Sequence, residues 1–148
     1  MALNNHALFQ VTLKAVVKKQ EEILLLITQD GYFDFPGGRI DESEVDIPFT
    51  SNLEREIAEE CGNNFTLKIL GPAFIAKRQY TKNGQTHKII AIYYEALYVG
   101  GDITLSDEHS NYEWVKPAEL IKYPDKFVSK DEFEQFDNYL ARGAKKMS

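Results

Sequence analysis

Residues Phe35–Gly62 read FPGGRIDESEVDIPFTSNLEREIAEECG. Two adjacent glycines, Gly37 and Gly38, open into a loop carrying Asp41, Glu42, Glu44 and Asp46, and a helical pattern with Arg55, Glu56, Glu59 and Glu60 follows. Like charges at helical spacing repel, each close pair costing about 0.2–0.5 kcal/mol. Such a gathering of carboxylates either fans out into water or surrounds a positive centre.

The helix is well marked. Leu53, Ile57 and Cys61 recur every four residues, Ser51 and Glu54 have capping-box spacing, and Gly62 stands where a helix-terminating glycine belongs. The pattern predicts a helix from Ser51 to Cys61. Glu56, Glu59 and Glu60 are related by three- and four-residue steps, so they project from one face while the apolar residues project from another. An acidic exposed face is ordinary helix decoration, and Arg55 is also explained as a partner of Glu59 one turn away. The upstream loop tips the balance. Gly37-Gly38 permits backbone geometry closed to other residues, which lets Glu44 return beside the helix. Four or more convergent oxygens are what a hard cation such as Mg²⁺ requires, with substrate phosphate oxygens and water completing its shell.

Outward from this stretch, Leu8 to Val17 and Ile23 to Ile27 are rich in apolar and β-branched residues and predict two strands joined by a polar connection. Asp30-Gly31 marks a turn before a short aromatic strand, Tyr32 to Phe35, and a loop through Pro36, Gly37 and Gly38 runs to about Phe49. Phe65 to Ile75 and His87 to Val99 read as strands, with Asn83-Gly84 supplying a hairpin turn between them. Residues 112–115 form a short strand, Pro117 opens a helical turn, and Phe133, Phe136 and Leu140 stripe a helix from Asp131 to Arg142. Strands on both sides of one helix, with a second helix at the end, predict an α+β sandwich, one domain across residues 1–148.

The 148 residues carry a formal net charge of −6. That argues against nucleic acid or anionic lipid held by a broad basic surface, since such binding rests on neutralising phosphates. The single cysteine, Cys61, has no internal disulfide partner and sits on the apolar helix face. No apolar run approaches the roughly 20 residues of a membrane span, so a cytoplasmic protein is expected.

Gly38, Glu44 and REIAEECG (Arg55 to Gly62) resemble the Nudix box, a glycine, five residues, a glutamate, seven residues and R-E-aliphatic-x-E-E-x-G-aliphatic. FPGG before it and EHSNYEWV after it also resemble Nudix hydrolases. Two departures stand out. Ten residues, 45 to 54, separate Glu44 from Arg55 where the pattern has seven, and Asn63 replaces the usual aliphatic residue. The extra three fall in DIPFT, where Pro48 precedes the helix, so the loop lengthens without shifting the helix register.

The resemblance implies a Nudix fold, a mixed sheet packed between helices in an α/β/α sandwich. It implies a Mg²⁺- or Mn²⁺-dependent, MutT-like pyrophosphatase acting on a nucleoside diphosphate linked to another moiety: a nucleoside triphosphate, ADP-ribose or a nucleotide sugar. Glu56, Glu59, Glu60 and Glu44 would supply metal ligands, Arg55 would orient a carboxylate, and Gly37 and Gly38 would shape the loop. Glu108 is expected as general base or an additional ligand, with Glu56 the alternative base. Tyr32, Arg78 and Tyr80 are candidates for substrate contact; selectivity could also draw on a second subunit in a homodimer. Trp114 and the C-terminal phenylalanines fall at core spacing. His6, His87 and His109 lack metal-ligand spacing to one another and receive no role. A catalytically silent nucleotide-binding module of the same fold is the alternative function; it would most simply have lost a helical glutamate. A diphosphate isomerase of that fold would want an active-site cysteine, which Cys61 does not provide.

Overall fold

The computed structural model describes residues 5–147. Strand β1 (Gln10–Lys19) lies at the centre, parallel to β6 (Gln85–Gly100) on one edge. Its other edge is shared. The first half pairs with β4 (Gly37–Arg39), from Thr12↔Arg39 to Lys14↔Gly37, and the last residues pair with β2 (Glu22–Thr28). β2 in turn carries β3 (Phe33–Asp34) and β7 (His109–Val115), while β5 (Thr66–Lys82) closes the far side against β6. β1 and β2 therefore part company after one end, and β3, β4 and the start of β7 meet in the gap. Helix α1 (Phe49–Cys61) covers one face, α3 (Lys130–Met147) the other, and a single turn, α2 (Pro117–Leu120), precedes α3. This is the expected mixed α+β sandwich.

Period-two alternation builds two cores from the same strands. Leu13, Ala15, Val17, Leu24 and Leu26 point to the α1 side and pack with Leu53, Ile57 and Cys61. Val16, Ile23 and Leu25 point to the α3 side and pack with Phe74, Tyr93 and Phe136. Because both faces are covered, β1 and β2 read as nearly continuous apolar runs. Trp114 packs at the margin of the first core, as its strand spacing predicts.

Several boundaries differ from expectation. β1 starts at Gln10 rather than Leu8, where pairing with Ile89 begins. α1 starts at Phe49, because the Pro48 carbonyl accepts the N–H groups of Ser51 and Asn52; Ser51 lies inside the helix and caps nothing. Capping-box geometry occurs instead at Asp41, whose N–H donates to Glu44 Oε1 at 3.0 Å. Gly37–Arg39 is strand rather than loop, although glycine disfavours strands, because β1 supplies the partner. Gly37 has φ 143°, and a Cβ there would overlap the Leu13 carbonyl. The β5–β6 hairpin turns at Asn83-Gly84 as expected, but β5 runs on to Lys82, β7 begins earlier, at His109, and α3 is longer at both ends.

Candidate active site

α1 lies against β4, and Glu56 and Glu60 face the glycine pair. The Gly37 N–H donates to Glu60 Oε1 at 2.7 Å. A Cβ on Gly38 would overlap the Glu56 carboxylate, so the glycine makes room for it. Glu60 is buried, and that burial pushes its pKa up to about 7 against the opposing pull of Lys14 and the Gly37 N–H. Burial also raises Glu56, with Arg55 opposing.

Arg55 binds three carboxylates. Its guanidinium donates to Glu59 at 2.7 Å, to Glu56 at 3.1 Å and to the buried Glu44. These partners hold Arg55 above its ordinary pKa, Glu59 contributing most. Glu44 thus returns beside the helix despite the longer connection. The three helical glutamates spread more widely than their spacing suggests. At 3.6 residues per turn, positions 59 and 60 stand about 100° apart around the axis, on either side of 56. Glu60 accordingly turns inward, while the Glu59 side chain is 60% exposed.

A cleft of about 320 Å³ opens where β1 and β2 separate. Its acids are Asp34, Glu56, Glu60 and Glu108, and its cations Lys14, Arg39 and Arg78; Gly37 and Gly38 form part of its floor. Glu44 and Glu59 lie outside this lining, as does Tyr80, whose ring stacks on His87 at 4.8 Å beneath the Arg39 guanidinium. Arg78 Nε is buried in the cleft without a hydrogen-bond partner among the described residues.

Lys14, Asp34, Arg39 and His109 belong to the site without a role assigned from the sequence. Lys14 Nζ lies 3.0 Å from Asp34 Oδ1, Asp34 Oδ2 lies 2.8 Å from His109 Nε2, and His109 Nδ1 lies 3.9 Å from Glu60 Oε2. Burial alone would raise Asp34; Lys14 and then His109 outweigh it and bring the pKa to about 2. The hydrogen bond to Asp34 raises His109. His109 thus belongs to the site although it has no histidine partner. The signals were a lysine inside the apolar run LKAVV and an aspartate between Phe33 and Phe35, charges that a buried strand carries only when paired.

Asp34, Glu60 and His109 converge within 4.8 Å. Lys14 already gives Asp34 its cation, and His109 Nδ1, buried and without a hydrogen-bond partner among the described residues, stands 3.9 Å from Glu60 Oε2. Glu56 and Glu60 fit a hard cation better. Their donors are carboxylate oxygens, both line the cleft, and Glu60 meets the Gly37 N–H while Glu56 lies against Gly38.

A family model described as NUDIX domain matches residues 9–136. The nucleoside triphosphatase NudI of Escherichia coli O81 is 31% identical over 93 residues; the match spans 60% of this chain and 60% of that protein's length. Among solved structures, the MutT protein of Methanosarcina mazei Go1 superposes with a TM-score of 0.75 at 25% identity, covering 91% of this chain and 95% of that one. An ADP-ribose pyrophosphatase of Streptococcus suis 89-1591 shares the fold, with a TM-score of 0.61 at 20% identity over 90% of this chain and 91% of that one. With the family model spanning most of its length, the chain belongs to the Nudix hydrolase family.

Proposed function

We propose that the chain is a Mg²⁺- or Mn²⁺-dependent pyrophosphohydrolase acting on a nucleoside diphosphate linked to another group, with nucleoside triphosphates the first candidates. The observation that carries this reading is one cleft in which Glu56 and Glu60 face Lys14, Arg39 and Arg78 across the Gly37-Gly38 floor. Acids alone would repel a polyphosphate, and cations alone would bind it without activating water. The nucleoside triphosphatase name of the Escherichia coli relative favours triphosphates over the other members of the class.

Glu56 and Glu60 are the carboxylates that would hold the cation, which when bound neutralises phosphate charge and acidifies a water. Glu44 and Glu59 contribute from the helix side through Arg55, which fixes the direction of Glu56. Lys14, Arg39 and Arg78 bind phosphate oxygens and offset charge developing at phosphorus. Glu60 is held by the Gly37 N–H, and the Lys14–Asp34–His109 chain ends 3.9 Å from its other oxygen. Glu108, which also lines the cleft, accepts the proton of the attacking water or joins the ligand set, and Glu56 is the alternative base. Tyr80 acts behind the cleft by supporting Arg39.

The test is a panel of nucleoside triphosphates, nucleotide sugars, ADP-ribose and dinucleoside polyphosphates, read as phosphate released with and without added phosphatase. Turnover that needs a divalent cation is expected. Binding without turnover of any compound would instead establish the silent module.

A further inference from the structure

A second cavity, of about 610 Å³, opens on the far side of Arg39. Arg39 lines both this cavity and the catalytic cleft. The cavity under α3, by contrast, lined by Lys18, Glu95 and Tyr139, shares no lining residue with the cleft. A pocket that holds the rest of the same molecule must adjoin the cleft, and the second cavity adjoins it at Arg39.

The apolar wall of the second cavity is unusual for a water-facing surface. Phe9, Val45 and Phe49 all line it and are 39%, 64% and 41% exposed. Asp41 and Glu42 supply acceptors, and Arg39 is its one cation. That balance disfavours a phosphate. It suits a flat, neutral ring system with hydroxyl or amino donors, because aromatic side chains stack on bases and carboxylates accept from exocyclic amines. Arg39 is fixed at the boundary, donating to Gln10 Oε1 at 2.8 Å and lying 5.4 Å from the Tyr80 ring centre.

Val45 immediately precedes, and Phe49 lies within, the DIPFT segment that makes the spacing from Glu44 to Arg55 three residues longer than the family pattern. With the added length, Glu56 and Glu60 still meet the glycine pair and Glu44 still reaches Arg55. The visible product of that length is the cavity wall.

We propose that this cavity receives the nucleoside moiety of the substrate whose phosphates lie in the catalytic cleft, with Phe9 and Phe49 flanking the base. The proposal rests on the function given above and adds the place where substrates are told apart.

The experiment compares kcat/KM for nucleoside triphosphates and for inorganic tripolyphosphate, which has no nucleoside, in the wild type, Phe9→Ala and Phe49→Ala. Each variant should lower the preference for the nucleotide at least tenfold, mostly through KM, as expected from losing one stacking surface. Phe9 precedes β1, so its variant leaves the start of α1 intact; titration calorimetry of nucleoside 5′-monophosphates without metal should show the same weakening. An unchanged preference, or an equal fall for both compounds, would overturn the assignment. A wild type that hydrolyses neither these compounds nor any other member of the substrate panel would overturn the proposed function itself, and the two failures are thereby distinguished.

Discussion

Glu60 accepts the hydrogen bond of an N–H that lies 23 residues earlier in the chain, at Gly37, and this contact seats α1 on β4. Burial raises the Glu60 pKa from 4.5 to about 7. A group whose folded pKa is raised favours folding while protonated, and that contribution fades as pH climbs from about 4.5 through 7. Glu60→Gln should therefore melt higher than the wild type in EDTA above pH 7, by up to about 3 kcal/mol in stability. Added Mg²⁺ should stabilise the wild type and not the variant. Hydrolysis should fall at least 100-fold for Glu60→Gln and Glu56→Gln, and less for the exposed Glu59→Gln. Calorimetric melting with and without metal, beside kcat, checks both halves.

Arg55 serves three carboxylates from a side chain that is 42% exposed. Exposed ion pairs contribute little to stability, about 0–1 kcal/mol. Arg55→Ala should consequently cost much more in kcat than in melting temperature, and Arg55→Lys should not restore the rate, because an ammonium cannot serve three acids in one plane. Equal small losses in both quantities would return Arg55 to the role of a surface partner of Glu59.

Gly37 and Gly38 differ in what a methyl group would strike. At Gly37 it meets the Leu13 backbone, at a φ that side chains rarely adopt; at Gly38 it meets the movable end of Glu56. Gly37→Ala should impair folding, and Gly38→Ala should fold and lose activity, by about tenfold or more for a displaced catalytic group. Circular dichroism and kcat on the same samples separate the two.

Asp34→Asn strips a buried lysine of its partner, since the Lys14 side chain is only 6% exposed. Breaking a buried pair in this way costs about 3–5 kcal/mol. The Asp34 pKa is lowered from 3.8 to about 2, so its stabilisation is present above pH 3.8 and disappears as pH falls through 2. The gap between wild type and Asp34→Asn, read from urea midpoints, should be widest at neutral pH and narrow below pH 4.

Glu108→Gln distinguishes base from ligand. Loss of a general base should reduce kcat by about 10²–10⁴-fold at saturating Mg²⁺, whereas loss of a ligand should be recovered by more Mg²⁺. A change under about threefold would place Glu108 in solvent.

Local signals carried most of the fold. The four-residue recurrence of Leu53, Ile57 and Cys61 located α1, and Asn83-Gly84 located the long hairpin. β4 was hidden because its pairing lies on β1, far away in sequence, and two glycines carry no strand signal of their own. The acids of α1 were legible because spacing along one helix is local. Lys14, Asp34 and His109 were not, since their association depends on β1, β3 and β7 meeting where the sheet splits. A lone histidine shows its meaning only when its neighbours in space are known.

The parallel pairing of β1 with β6 also constrains when the cleft can exist. Gln10 pairs with Ile89 and Lys18 with Leu97, a separation of 79 positions in each case (10 to 89, 18 to 97). The β5–β6 hairpin, closed by a two-residue turn, can form from local contacts, whereas closing so long a loop onto β1 is slow. During synthesis, a chain that has not yet delivered β6 can pair β1 only with β2 and β4, which leaves the other edge of the strand carrying Lys14 open. The phosphate-binding wall is thus one of the last features to assemble, and a nascent chain cannot engage substrate before its central strand finds its partner.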